Sequence, residues 1–465
     1  MERILQVISA AVWGVPLLML ILGVGIWFTA LTGFSQITLF PTAIKRFLSP
    51  GNENRNNRRA LYTALAATVG TGNLAGVAGA ICIGGPGAVF WMWVCGIVGM
   101  IIKFAEATLA IHYRKKKQKG ETVGGPMYMI LRGLPQKTHW LAYVYCFFGV
   151  VAAFGVGNAT QVNAAVDSIC AAMQSANISL SGIHRFIIGC VIAILVFVGL
   201  WSGSGKLSQI TEKIVPVATV SYLLLGCGVL IKYRAGIIPA LETIVRGAFC
   251  PQAVTGGVVV SAFLCIRTGA SRGVFTNEAG MGTAAIAHAS AEVKHPAEQG
   301  LMGLIEVFVD TILICTMTAL VILCSGVQIP YGTDPGVSLT SAAFASVYGP
   351  SASFLTAVMV CCFGIATVLG WSLYGGRCAQ FLFGQNCWRT FALLQSAMVV
   401  ISAVMQTETV WLFAEIVNGL MAIPNLIALT YLSPVLFALT ASFKKGIKKY
   451  LQPERLEVGT LFKSR

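Results

Sequence analysis

The stretch Thr68-Val69-Gly70-Thr71-Gly72-Asn73 interrupts an apolar segment, 58–82, that is otherwise long enough to cross a bilayer as a helix. Two glycines, a β-branched run and an asparagine are poor helix formers. In hydrocarbon every backbone N–H and C=O needs a partner within the protein. Such a break therefore survives only where protein encloses it or where it lines a cavity. A second apolar segment, 255–289, repeats the anomaly at Thr268-Gly269-Ala270-Ser271-Arg272-Gly273, followed by Thr276-Asn277-Glu278. Interrupted segments at matching places in two halves of a chain are the pattern of a transporter site between structural repeats.

The chemistry of such a break is specific. It offers free N–H groups and a positive dipole end to a carboxylate, and free carbonyls to a cation or an ammonium group. A zwitterion needs both. The bland reading, a pair of glycine kinks that let helices pack closely, stands beside it.

Working outward, the rest of the chain supports a membrane setting. Of 465 residues, 56% are hydrophobic and 11% charged, well below the roughly 25% charge of soluble domains. Mean hydropathy is +0.78. Eleven apolar segments are long enough to span: 8–31, 58–82, 88–112, 140–170, 185–201, 211–231, 255–289, 300–326, 351–376, 389–405 and 410–440. The first is long for a signal sequence and has no cleavage site of small residues, so it reads as a retained helix. A short surface helix fits 233–254, with Pro239 and Pro251.

Charge placement orients the chain. With the N-terminus outside, the odd connections and the C-terminal tail carry 24 of the 32 Lys and Arg residues, and the external side carries 5. This is the positive-inside pattern, so the expected setting is the cytoplasmic (inner) membrane with the C-terminus inside. The net charge of +15 thus reflects topology. The basic clusters lack the interleaved aromatics of a nucleic-acid groove. The 14 cysteines show no metal-ligand spacing and mostly lie in apolar segments, where they act as small hydrophobes.

Longer motifs carry a resemblance. Ala64-Leu-Ala-Ala-Thr-Val-Gly-Thr-Gly-Asn73-Leu-Ala-Gly-Val77, continuing through Gly84-Gly-Pro-Gly-Ala-Val-Phe-Trp-Met-Trp93, is similar to the alanine or glycine:cation symporter family. So are Gly273-Val-Phe-Thr-Asn-Glu-Ala-Gly-Met-Gly-Thr-Ala-Ala-Ile-Ala-His288, Gly124-Gly-Pro-Met-Tyr128, Gly155-Val-Gly-Asn-Ala-Thr-Gln161 and Leu369-Gly-Trp-Ser-Leu-Tyr-Gly375. They cover nearly the whole chain in the family's order.

The resemblance implies an all-α membrane protein of leucine-transporter type, a single domain over 1–465. One extra N-terminal helix (8–31) would precede two inverted five-helix repeats, 58–231 and 255–440, each with a broken helix, and a basic cytoplasmic tail (441–465) would follow. It implies sodium-coupled symport of a small neutral amino acid, with no cofactor and sodium as coupling ion, a proton being the alternative ion. By position, the N–H groups of Thr71, Gly72 and Asn73 would hold a carboxylate. Carbonyls at Ala66 and Val69, with Thr68, would face sodium, and Asn73 would join a second ion. Gln161, Thr268, Gly269 and Gly273 would face substrate. Thr367 would serve ion or substrate, and Trp371 would close the side-chain pocket. Family members often carry an aromatic residue before the glycine of the second break. This chain has Arg267-Thr268-Gly269, a difference that bears on pocket size.

Other polar residues have plainer readings. Glu306 and Asp310 share a helix face, and intramembrane carboxylates mark ion pathways, but a pair with Arg272 or Lys103 explains them as well. Glu106, three residues after Lys103, has the spacing to neutralise it. Glu278 is a cap or a gate, Pro424 and Asn425 mark a kink, and His288 and His295 have no metal-ligand spacing. A ligand-gated channel or sensor on the same scaffold is the competing class. An enzyme would need a nucleophile–base or metal set, and the sequence carries none.

Overall fold

A computed structural model describes residues 2–49, 52–116, 122–201, 203–251, 260–405 and 407–446. Most of the expected tail, 447–465, and the start of the second half, 252–259, lie outside the described residues. The described chain is almost wholly helical, apart from a short antiparallel pairing of Lys115–Lys116 with Thr122–Val123.

Among the described residues nine helices are long and apolar enough to span a membrane: Arg3–Leu31, Ala88–Tyr113, Gln136–Ser175, Gly182–Trp201, Gln209–Lys232, Pro296–Cys324, Ser338–Phe383, Gln385–Val404 and Val410–Tyr431. A tenth is the bent pair Asn56–Thr68 and Thr71–Gly84, whose halves meet at 61°. The segment expected at 255–289 forms helices Ala262–Asn277 and Thr283–His288, each short for a crossing. The expected surface segment contains helix Ile237–Phe249. Pro424 lies inside helix Thr407–Tyr431, which ends at Leu432 before helix Ser433–Lys444.

Helix Gly182–Trp201 shows why these segments suit lipid. Val191, Ile194, Leu195 and Val198 form an exposed stripe at helical spacing, while Gly189, Ile192, Ala193 and Val196 face inward. Apolar residues on both faces need hydrocarbon on one side and protein on the other. Inward packing relies on small residues that let backbones approach. A Cβ at Gly303 would stand 2.8 Å from the Lys103 carbonyl oxygen of the neighbouring helix.

The helices sort into two groups. Ala88–Tyr113 packs on both parts of the 262–288 segment and on Pro296–Val307, and those pack on the bent pair. Separately, the 140–175 helices, Gly182–Trp201, Ala352–Phe383 and Trp388–Val404 pack on one another. The groups meet where helix Ala352–Phe383 lies against Asn52–Thr68, and Gly370 permits it: a Cβ there would stand 2.8 Å from the Ala67 nitrogen.

Candidate functional site

The first break lies where the sequence places it. Helix Asn52–Thr68 ends, Gly70 is extended, and Thr71–Asn73 forms a single tight turn before helix Ala75–Gly84. In an unbroken helix the Gly70 N–H would donate to the Ala66 carbonyl. Here it donates to Asn73 Oδ1 at 2.9 Å. Likewise the Thr71 N–H turns away from Ala67 and donates to Gln161 Oε1 at 3.0 Å, joined by the Thr71 hydroxyl at 2.9 Å. Thr367 donates its hydroxyl to the Val69 carbonyl at 3.3 Å. Thr68 returns its own hydroxyl to the Ala64 carbonyl at 3.3 Å. Of the expected residues, Val69, Thr71, Gln161 and Thr367 are thus joined where the two helix groups meet, while Ala66, Thr68 and Asn73 are buried beside them on the broken segment.

Gly70 permits a close approach, and Gly72 is only snugly packed. A Cβ at Gly70 would stand 2.7 Å from Thr367 Oγ1 and 2.9 Å from Gln161 Oε1. At Gly72 it would meet the Thr276 methyl at 3.3 Å and the Phe275 ring at 3.4 Å. Gln161 follows a π-helical turn, Gly155–Ala159, and such turns in α-helices concentrate at functional sites.

The second break is displaced from its expected place. Helix Ala262–Asn277 runs unbroken through Thr268, Gly269 and Gly273. Those glycines are packing positions on helix Ala88–Tyr113: a Cβ at Gly269 would stand 2.3 Å from the Ala88 carbonyl oxygen, and one at Gly273 3.2 Å from Cys95 Cβ. Thr268 faces Gly84. The chain breaks at Glu278–Gly282, where Glu278, Gly280 and Gly282 all have positive φ. Asn277 caps this turn through Oδ1, which accepts from the Ala279 N–H at 2.9 Å.

Four buried carboxylates, Glu106, Glu278, Glu306 and Asp310, lie around the breaks. Glu106 Oε1 accepts from the Gly280 N–H at 3.0 Å, the Gly282 N–H at 2.9 Å and Asn425 Nδ2 at 2.8 Å. Its hydrogen bonds therefore clamp the second break, while the ion pair of Lys103 is made with Glu306. Lys103 pairs with Glu306 at 2.8 Å, and Glu306 also meets His288 Nε2 at 2.9 Å. Glu278 accepts from Trp371 Nε1 at 2.7 Å and from the Thr283 hydroxyl at 2.6 Å. Asp310, in the π-helical stretch Phe308–Cys315, accepts from Asn73 Nδ2 at 2.7 Å and from the Thr311 hydroxyl at 2.8 Å.

A further polar cluster lies beside the first part of the second broken segment. Arg272 reaches Asp334 at 3.0 Å and Glu415 at 3.5 Å, with its guanidinium 5.1 Å from the Trp411 ring centre. Trp411 in turn packs on Phe275 at 5.0 Å. Ser9 and Trp13 of the first helix hold Glu415 by its side chain and its carbonyl. Arg272 is therefore committed here and does not reach Glu306.

Comparison with known proteins agrees with this architecture. The family model described as the sodium:alanine symporter family matches residues 1–457. The sodium/alanine symporter AgcS of Methanococcus maripaludis is 40% identical over 95% of this chain and 97% of its own. The amino-acid carrier protein AlsT of Bacillus subtilis is 35% identical over 93% of this chain and 90% of its own. Among solved structures, a manganese transporter of Eremococcus coleocola shares the fold, with TM-score 0.50 and 14% identity, covering 84% of this chain and 80% of that one. The relatives are transporters and not enzymes, and the apolar helices are those of an integral membrane protein. The chain belongs to the sodium:alanine symporter family.

Proposed function

We propose that this protein carries a small neutral amino acid, alanine or glycine, together with sodium by alternating access. The observation that carries this reading is the first break itself. The N–H groups of Gly70 and Thr71 leave their helical acceptors for Asn73 and Gln161, and two side chains of the opposite helix group reach the break, Gln161 accepting from the Thr71 N–H and Thr367 donating to the Val69 carbonyl. A substrate carboxylate at Thr71, Gly72 and Asn73 would exchange with the Gln161 amide oxygen. Sodium would take the carbonyls of Ala66 and Val69 with the hydroxyls of Thr68 and Thr367, and Asn73 would face a second ion. Trp371 would limit the side-chain pocket. From the second broken segment, the turn Glu278–Gly282 replaces Gly269 and Gly273, which serve packing.

This reading counts 262–288 as an eleventh crossing, so that an extra first helix precedes two inverted five-helix repeats. It places the N-terminus outside and the C-terminus in the cytoplasm, on the strength of the basic residues. Alternating access would move one helix group against the other across the contacts at Gln161, Thr367 and Trp371.

Uptake of radiolabelled alanine into proteoliposomes, with sodium and proton gradients imposed separately, tests it. The expected result is uphill accumulation driven by the sodium gradient. Equilibration without accumulation would indicate a channel, and accumulation on a proton gradient alone would exclude sodium coupling.

A further inference from the structure

Helices Gln209–Lys232, Ser338–Tyr348 and Ala352–Phe383 surround a cleft that holds about 250 Å³ of empty space. Tyr222 and Leu225, Phe344 and Tyr348, and Leu355 and Met359 supply its three walls, and the fully buried Leu74 closes its inner end. Its hydroxyl groups are already used. Tyr222 shares a hydrogen bond with the Thr318 hydroxyl at 2.6 Å, Tyr348 donates to the Leu225 carbonyl at 2.7 Å, and Thr356 donates to the Ala352 carbonyl at 2.8 Å. The cleft therefore offers an occupant carbon surface and no spare donor. An ion or an amino acid would leave its own polar groups unpaired there, whereas a hydrocarbon chain would not. The space is also smaller than the roughly 300–1,000 Å³ of sites that enclose a whole small ligand, which suits a single chain.

The cleft opens toward lipid. Leu355 at its mouth is 37% exposed, and Leu224, Phe354 and Val358 are exposed apolar residues of the same two helices. Lys232 lies seven residues beyond Leu225, on the same helix face and about 10 Å further along the axis. Its ammonium donates to the Ser346 carbonyl at 2.8 Å, at the edge of the wall formed by Phe344 and Tyr348. Lys232 and Arg234 are both exposed. Helices Ser338–Tyr348 and Ala352–Phe383 carry no acidic residue, and Glu212 stands at the far end of Gln209–Lys232. In the proposed orientation Lys232 and Arg234 are two of only 5 basic residues on the external side, which membrane topology keeps poor in Lys and Arg. An apolar cleft beneath a local positive charge matches an acyl chain beneath a phosphate.

The inner end of the cleft touches the first break. The Leu74 N–H closes the Thr71–Asn73 turn on the Thr71 carbonyl at 3.2 Å, and the Leu74 carbonyl accepts from the Thr340 hydroxyl at 3.2 Å. Thr318, the partner of Tyr222, donates to the Asn73 carbonyl at 2.8 Å. We propose that this cleft binds one acyl chain of an anionic phospholipid of the surrounding membrane, with its phosphate at Lys232 and Arg234, and that the chain braces the first break. The proposal goes beyond the symport reading and rests on it only for the side of the membrane on which the lipid lies.

The test uses the purified, delipidated full-length protein in detergent, titrated with dioleoylphosphatidylglycerol or dioleoylphosphatidylcholine, reading melting temperature and bound lipid by native mass spectrometry. A ligand of the folded state raises the melting temperature. Phosphatidylglycerol should raise it by several degrees, and phosphatidylcholine by less than half as much. Leu355→Trp, which fills the mouth, should lose most of that shift and the bound lipid; Met359→Trp serves if that variant does not fold. In Lys232→Gln combined with Arg234→Gln, the effect of phosphatidylglycerol should fall to that of phosphatidylcholine. A filled cleft that keeps the wild-type shift and bound lipid would overturn the site. Equal effects of the two lipids on the wild type would overturn the anionic headgroup, and oleate matching phosphatidylglycerol at equal chain concentration would overturn the phospholipid. None of these readouts uses alanine or sodium, so they stand apart from the symport reading, which fails if the wild type shows no sodium-driven accumulation of alanine.

Discussion

Trp371 donates its indole N–H to Glu278 at 2.7 Å, and both side chains are buried. The bond joins helix Ala352–Phe383 of one helix group to the second break of the other. Gly157 makes room for it, since a Cβ there would stand 2.2 Å from Trp371 Cβ. The tryptophan therefore has two separable properties, its bulk and its donor. Trp371→Phe keeps most of the bulk and leaves Glu278 one donor short, at a cost of about 1–3 kcal/mol. It should melt lower while ranking alanine, glycine, leucine and methionine as the wild type does. Trp371→Ala should also let leucine and methionine compete, because discrimination by pocket volume amounts to about 1–3 kcal/mol per methylene. Competition against radiolabelled alanine uptake reads this. An unchanged ranking in Trp371→Ala would remove the residue from the pocket.

Glu106 should matter more for stability than its spacing to Lys103 suggests. Removing its side chain leaves the N–H groups of Gly280 and Gly282 and the amide of Asn425 short of an acceptor. Each unsatisfied buried group costs about 1–3 kcal/mol. Glu106→Ala should melt far below the wild type. Glu106→Gln, which can still accept through one oxygen, should be intermediate, and Asn425→Ala, which removes one donor and spares the clamp, the mildest. If Glu106→Ala melts like the wild type, the clamp contributes nothing.

The first break was legible because its signals coincide: glycines, a β-branched run and an asparagine within six residues of an apolar segment. The second was read too early. Gly269 and Gly273 carry the same signal for a different reason, close helix packing, which depends on what lies opposite and not on the local sequence. The true turn includes Glu278 in a left-handed conformation that a glutamate rarely adopts. Its stabiliser, Glu106, lies 174 residues away from Gly280. Lys103, 203 residues from Glu306, was one of two partners the sequence offered that carboxylate, and only the fold selects it over Arg272. Hydropathy located most of the spans because lipid acts on every residue of a segment, whereas a buried ion pair depends on two.

The orientation makes a direct prediction. Seven basic residues lie between Lys444 and Arg465. Within reach of the membrane such residues are retained on the cytoplasmic side. A reporter fused after Arg465 should be active only in the cytoplasm. A periplasmic reading would reverse the assignment of every loop, including the one that carries Asp334.

Asn73 ties the first break to helix Pro296–Cys324 through its side chain. Its oxygen holds the Gly70 N–H, and its nitrogen reaches Asp310 Oδ1 at 2.7 Å and the Asp310 carbonyl at 3.2 Å. Its own carbonyl accepts from the Thr318 hydroxyl at 2.8 Å, a bond that does not depend on the side chain. Asn73→Ala therefore keeps the turn's anchor to helix Thr316–Cys324 and loses the other contacts. The Gly70 N–H would be free to swing back toward Ala66, changing the groups offered to a carboxylate, while Asp310 would lose a donor. Alanine affinity and sodium dependence should weaken together, each about tenfold for a loss near 1.4 kcal/mol. The measurements are the alanine KM at saturating sodium and the sodium half-activation at fixed alanine. A shift in one without the other would separate the two sites, and no shift in either would make Asn73 a structural cap alone.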